Sequence, residues 1–212
     1  MSGKNNGGKL DWKKQALEYA RILGIITAVA ALFLSLANVL TLSARQRQER
    51  LSFREKVYEL LGDRAGRCKL IVKDDKVLGA LAYSSDPEKP EYIITLGEAR
   101  GYGGFVKVAV AMDVEYADGH MKPGKIEGVA VVDASKETPG LGSRIKEKSF
   151  LERFKGKTYK QLHVGRNGVE AITGATISST AAIKAARKAY RRATEILGNF
   201  ESYSVFMEDC GK

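Results

Sequence analysis

The residues best equipped for chemistry stand together at Thr173–Thr180, TGATISST, where five hydroxyls and a glycine share eight positions ahead of a helical pattern, AAIKAARKAYRRATEILG. One hydroxyl is enough to cap a helix. The others are free to bind a phosphate or to be esterified by one. A helix amino end offers unpaired N–H groups and the positive end of the macrodipole, an arrangement that favours an anion. Gly174 and Ala175 are small enough to let a ligand approach the backbone. Ser178, Ser179 and Thr180 lie in one turn but about 100° apart around the axis, so only one of them can face a given ligand.

Other chemistries find little support. His120 and His163 lack the carboxylate spacing of a metal site or a triad, and Cys68 and Cys210 form no CxxC pair. A disulfide between those cysteines is permitted outside the cytoplasm, and the sequence alone does not decide it. There is no Walker loop and no G-x-G-x-x-G opening a βαβ unit. GYGG at Gly101–Gly104 reads, by itself, as a turn between strands. The formal charge of +10 permits an anionic partner. Much of it sits in Lys4, Lys9, Lys13 and Lys14 and in Lys184, Arg187, Lys188, Arg191 and Arg192, without aromatics interleaved in the pattern of a nucleic-acid platform. That distribution favours a solvated basic face over a nucleic-acid platform.

The elements that must position the hydroxyl cluster follow from the period of the apolar residues. KLIV, KVLGALAYSS, EYIITLGEA, FVKVAVAMDVEY and KIEGVAVVDAS, between Lys69 and Ser135, are short, β-branched and partly alternating, with turn signals at DPEKP and YADGHMKPG. A short helical stretch is expected near Lys146–Phe154 and a long helix after Ser178. Its apolar positions Ala182, Ile183, Ala186, Ala189, Tyr190, Ala193 and Leu197 mark one buried face. Strands grouped together with helices at the ends indicate an α+β domain, an antiparallel sheet with flanking helices, over 69–212. The aromatics of NFESYSVFMEDCGK are expected to order part of the tail.

Ahead of this domain, residues 22–44 form 23 positions without a charge. At about 1.5 Å per residue they span a hydrocarbon core of roughly 30 Å. The run exceeds a signal-peptide core of about 7–15 residues, and Leu42-Ser-Ala44 lacks a small residue at the first place of a cleavage site. An uncleaved transmembrane helix is the expectation, with 1–21 before it and 45–68 as a helical linker ending near Gly62. Basic residues flank both ends almost equally, so charge does not orient the span.

TGATISS resembles the S/T-G-A-T-x-S/T signature of the FMN-binding domain family, whose final hydroxyl carries FMN through a phosphoester bond. ETPGLGSRI at Glu137–Ile145, followed by Phe150 and by FKGK at Phe154–Lys157, is similar to a second hallmark, and GYGGFVKVAV to a third. The resemblance implies covalent FMN on Ser178, with Thr173, Gly174, Ala175 and Thr176 around the phosphate. Thr138, Leu141 and Gly142 would lie against the isoalloxazine, and Gly103 and Gly104 near its rim; it implies no catalytic side chain and no metal. Within the family the chain resembles the G-type branch found in Rnf-type ion-translocating electron-transport complexes. Its C-type counterparts in sodium-pumping NADH:quinone oxidoreductases are near relatives, typically longer. The implied role is electron relay in a complex coupling ferredoxin and NAD to Na⁺ or H⁺ transport. Its implied partners are membrane, iron–sulfur and flavin subunits, a flavin transferase and membrane lipid, with the domain on the extracytoplasmic face of the cell membrane.

Three departures accompany the resemblance. Glu170 stands where the family often has Asp, DASKETPGLG lacks a frequent His, and Ser178 replaces a frequent Thr. The Glu keeps the charge and the Ser keeps the hydroxyl. The missing His weakens any proton-handling role near the flavin. A stand-alone membrane-anchored flavin reductase or sensor and a lipid-binding module are the rival classes.

Overall fold

A computed structural model of the chain describes residues 8–74, 76–84, 86–204 and 207–209. The chain divides into two units, Met1–Gln48 and Glu49–Lys212. In the first, the described residues belong to α1, which runs Gly8–Leu61 and continues into the second unit. Lys14–Thr41 is long and apolar enough to cross a membrane, with a mean hydropathy of 2.3 and none of that window buried. Leu23, Ile25, Phe33, Leu34 and Leu40 are exposed along it, so these side chains have no protein interior to enter.

The second unit is built on a six-stranded antiparallel sheet in the order β5-β4-β3-β2-β1-β6. Its strands are β1 Arg67–Lys73, β2 Lys76–Tyr83, β3 Tyr92–Arg100, β4 Phe105–Ala117, β5 His120–Asp133 and β6 Met207–Asp209. Successive residues of a strand point to opposite faces, and here both faces are covered. On one, Ile93, Val106, Val108, Val110 and Met112 join a core with α3, Thr176–Gly198. On the other, Leu70, Ala80, Ile94, Leu96, Ala109 and Ala111 pack with Phe53, Val57 and Leu61, a stripe four residues apart on α1. Burial on both faces explains why alternation in the sequence is only partial.

The linker expected over 45–68 is therefore divided. Its residues from Glu49 onward belong to the domain, with Phe53, Val57, Leu61, Ala65 and Cys68 buried. The stripe was missed because three apolar residues in a charged helix give a weak signal. A 3₁₀ turn at Gly62–Ala65 carries the chain into β1. The turn expected over YADGHMKPG shrinks to Asp118 and Gly119, both at positive φ. Pro123 sits inside β5, an edge strand, opposite Val114 and beside a register shift at Met112 and Val114, the setting in which a sheet tolerates proline.

All seven residues assigned to the buried face of α3 are buried. The alanines let the helix lie close on β3. A Cβ on Gly97 would run into the Ala185 carbonyl and come 2.7 Å from the Ala189 nitrogen. Thr95 Oγ1 donates to the Ala189 carbonyl at 2.8 Å, and Arg192 Nη1 donates to the Leu96 carbonyl at 2.8 Å. The stretch expected near Lys146–Phe154 comprises a 3₁₀ turn at Gly142–Lys146, α2 at Lys148–Leu151 and a second turn at Glu152–Phe154. Phe150 and Phe154 meet edge to face at 5.4 Å. In the tail, α4, Phe200–Ser204, packs Phe200 and Tyr203 on the core. Cys68 is disulfide-bonded; Cys210 lies outside the described residues.

Candidate functional site

The helix carrying the hydroxyls begins earlier than its sequence pattern indicates. α3 starts at Thr176, with Ala175 at the N-cap and no capping side chain. Gly174 takes φ +81, a left-handed turn suited to glycine. The Ala175 N–H then donates to the Ile172 carbonyl at 2.9 Å. The five hydroxyls therefore divide their work. Ser179 is fully buried, and its Oγ accepts the Ile172 N–H at 3.0 Å, tying the helix to the segment before it. Thr173 and Thr176 are exposed and Thr180 is half-buried, whereas Ser178 is buried.

Ser178 points toward the loop that follows β5. Its hydroxyl donates a short hydrogen bond to Glu137 Oε2, joining two motifs 41 residues apart. Glu137 is 3% exposed. Its carboxylate also accepts the Gly103 N–H at 3.0 Å and, at a longer 3.4 Å, the Tyr102 N–H. Burial alone would push the Glu137 carboxyl up. The Ser178 hydroxyl and the Gly103, Tyr102 and Gly104 N–H groups outweigh it and hold the carboxyl below its ordinary value. Gly101–Gly104, Glu137 and Ser178 thus meet at one carboxylate.

The loop itself is wound tightly. Leu141 N–H and Ser143 N–H both donate to the Thr138 carbonyl, at 3.2 and 3.1 Å, and Gly140 adopts φ +72. Gly142 then crosses the hydroxyl: a Cβ there would sit 2.7 Å from Ser178 Oγ and 3.1 Å from Glu137 Oε2. Between this loop and the start of α3 opens a cleft of about 500 Å³, lined by Tyr102, Thr138, Leu141, Gly142 and residues 174–178. That volume lies within the roughly 300–1,000 Å³ usual for cofactor sites. Tyr102, Leu141 and Ile177, at 71%, 44% and 56% exposed, give its rim large apolar surfaces.

Of the residues the sequence singled out, Thr138, Leu141, Gly142, Gly174, Ala175, Thr176 and Ser178 line this one cleft. Thr173, Gly103 and Gly104 do not. The two glycines instead let their turn lie on the next loop, since a Cβ on Gly103 would strike the Lys136 carbonyl and one on Gly104 the Lys136 side chain. Glu170 is exposed, and its carbonyl accepts from Arg153 Nη1 at 2.9 Å. Sequence reasoning missed Glu137, Tyr102 and Ile177 as site residues. Glu137 opens the ETPGLG motif and Tyr102 lies within GYGG, so both were in view without a reason to single them out.

These residues fit a flavin mononucleotide. The glycine at Gly142 and the turn at Gly174 leave room beside the hydroxyl, an uncapped helix amino end suits the phosphate, and the apolar rim suits a flat ring. Residues 101–191 match the model of the FMN-binding domain. The chain is similar to the G subunit of the proton-translocating ferredoxin:NAD(+) oxidoreductase complex of Clostridium ljungdahlii, 33% identical over 106 residues, which are 48% of this chain and 52% of that one. It thus aligns with about half the length of that relative. It is also similar to the G subunit of the Na(+)-translocating ferredoxin:NAD(+) oxidoreductase complex of Acetobacterium woodii, 29% identical over 82% of this chain and 88% of that one. Among solved structures, the C subunit of the Na(+)-translocating NADH-quinone reductase of Parabacteroides distasonis aligns with a TM-score of 0.42 at 16% identity, covering 74% of this chain and 95% of that one.

Proposed function

We propose, from the match of residues 101–191 to the FMN-binding domain model, that this chain is the membrane-anchored, electron-carrying flavoprotein subunit of an ion-translocating ferredoxin:NAD oxidoreductase complex. The observation that carries the reading is the single cleft in which TGATIS and ETPGLG meet, with the Ser178 hydroxyl at its inner wall. FMN is joined to Ser178 through its phosphate by a flavin transferase. When bound, it supplies one- and two-electron chemistry that no side chain here can perform.

The chain's own residues hold and shield the cofactor. The start of α3 would stabilise the phosphate charge, and Thr138, Leu141 and Gly142, which line the cleft, would hold the ring. Tyr102 and Ile177 would offer the ring apolar surface at the rim of the cleft. A tether at one end would keep the cofactor on the domain while its ring supplies electron transfer to neighbouring subunits. Lys14–Thr41 anchors the chain in lipid, supported by its hydropathy of 2.3 and its exposed side chains. Residues 1–21 lie in the cytoplasm and the domain on the extracytoplasmic side. Intact mass of the protein made with and without a flavin transferase tests the reading. A gain of one FMN less one water, only with the transferase, is expected; equal masses would refute covalent attachment.

A further inference from the structure

We propose that Glu137 is the proton acceptor for Ser178 when that hydroxyl is esterified, an inference that rests on Ser178 being the attachment site. Glu137 is 3% exposed, and among the described residues no lysine or arginine pairs with it. Buried carboxylates are normally kept ionised by a cation. Here the partners are the hydroxyl of Ser178 and the backbone N–H groups of Gly103, Tyr102 and Gly104. The N–H groups fix the carboxylate, and its Oε2 is directed at the atom that must react.

A serine hydroxyl is a poor nucleophile until its proton has somewhere to go. Joining it to a phosphate in water also requires an activated phosphate, and a flavin dinucleotide carries one in its pyrophosphate. In the step, Ser178 Oγ forms a bond to the phosphorus on the flavin side and its proton passes to Glu137 Oε2. The bridging P–O bond breaks, and the nucleoside monophosphate leaves with the electron pair. A carboxylate and a doubly charged dinucleotide become a neutral carboxylic acid, a singly charged diester and a doubly charged nucleotide, so charge balances and nothing is oxidised. The transfer also removes the buried negative charge that would repel the new phosphate. Gly142 fits the same scheme, since any side chain there would block the approach to Ser178 Oγ, only 2.7 Å from its Cβ position.

A purely structural latch between the loop and α3 is the competing account, and attachment kinetics separate the two. The full-length chain and its Glu137→Gln, Glu137→Asp and Glu137→Ala variants are incubated with flavin transferase and flavin dinucleotide. Attachment rate is followed by peptide mass, with melting temperature and affinity for free FMN measured alongside. Glu137→Gln is expected to slow attachment about 10²- to 10⁴-fold in protein that still folds and still binds free FMN, with Glu137→Asp faster than Gln or Ala. Gln at the parental rate would overturn the role of Glu137. So would Asp no faster than Ala while folded, a comparison that holds even if Gln fails to fold. Parental protein modified elsewhere than Ser178 would instead refute the attachment reading on which the role rests.

Discussion

The five hydroxyls of TGATISST differ in what surrounds them, and single substitutions should separate their roles. Ser179→Ala leaves the buried Ile172 N–H without its acceptor, which should cost about 1–3 kcal/mol. A lowered melting temperature with flavin attachment still on Ser178 is the expected result; a loss of attachment at full stability would contradict it. Glu137 makes an opposite kind of claim, visible in its pH dependence. Its carboxyl is held below its ordinary value in the folded state. Its stabilising contribution is therefore complete above the unfolded value of about 4.3 and is lost as pH falls through the lower folded value. Urea unfolding of the flavin-free protein should show a gap between parent and Glu137→Gln that is largest near neutral pH and closes in acid. Asp133, also lowered by its bonds to Ser135 and facing the same acid limb, is present in both proteins and cancels. A gap that widened in acid would reverse the sign of this reasoning.

At the level of elements, the sheet is completed on its second face by the end of α1. Phe53 is 2% exposed there, so Phe53→Ala should destabilise the domain by about 3–5 kcal/mol. A chain beginning at Glu49 should fold, and one beginning at Lys69 should not; cooperative melting of the shorter chain would refute the assignment. The same elements differ in how plainly the sequence disclosed them. Five strands were legible because β-branched runs such as FVKVAVAM leave few alternatives, and the buried face of α3 because its alanines repeat at helical spacing. The stripe of Phe53, Val57 and Leu61 was hidden among charges. The length of β5 was hidden by Gly119 and Pro123, which look like a loop until the strand is known to be an edge. Both TGATIS and ETPGLG were recognisable as motifs. The hydrogen bond between them was not, because only the packing of α3 on the sheet brings residues 137 and 178 together.

At the scale of the whole molecule, Lys14–Thr41 is long and apolar enough to cross a membrane, and the proposed cofactor would supply the chemistry of the domain. Single cysteines introduced at Ser2 and at the exposed Ser149 should respond oppositely to a membrane-impermeant thiol reagent in intact cells. Ser149→Cys is expected to react and Ser2→Cys to be shielded; the reverse pattern would place the domain in the cytoplasm. The central claim is narrower: one hydroxyl among several in the same helical turn carries FMN. Peptide mass spectrometry of protein made with a flavin transferase tests it most directly, with Ser178→Ala, Ser179→Ala and Thr180→Ala beside the parent. The account predicts FMN on the peptide at Ser178 in the parent and in the latter two variants, and no covalent flavin in Ser178→Ala. Covalent flavin retained in Ser178→Ala would contradict it.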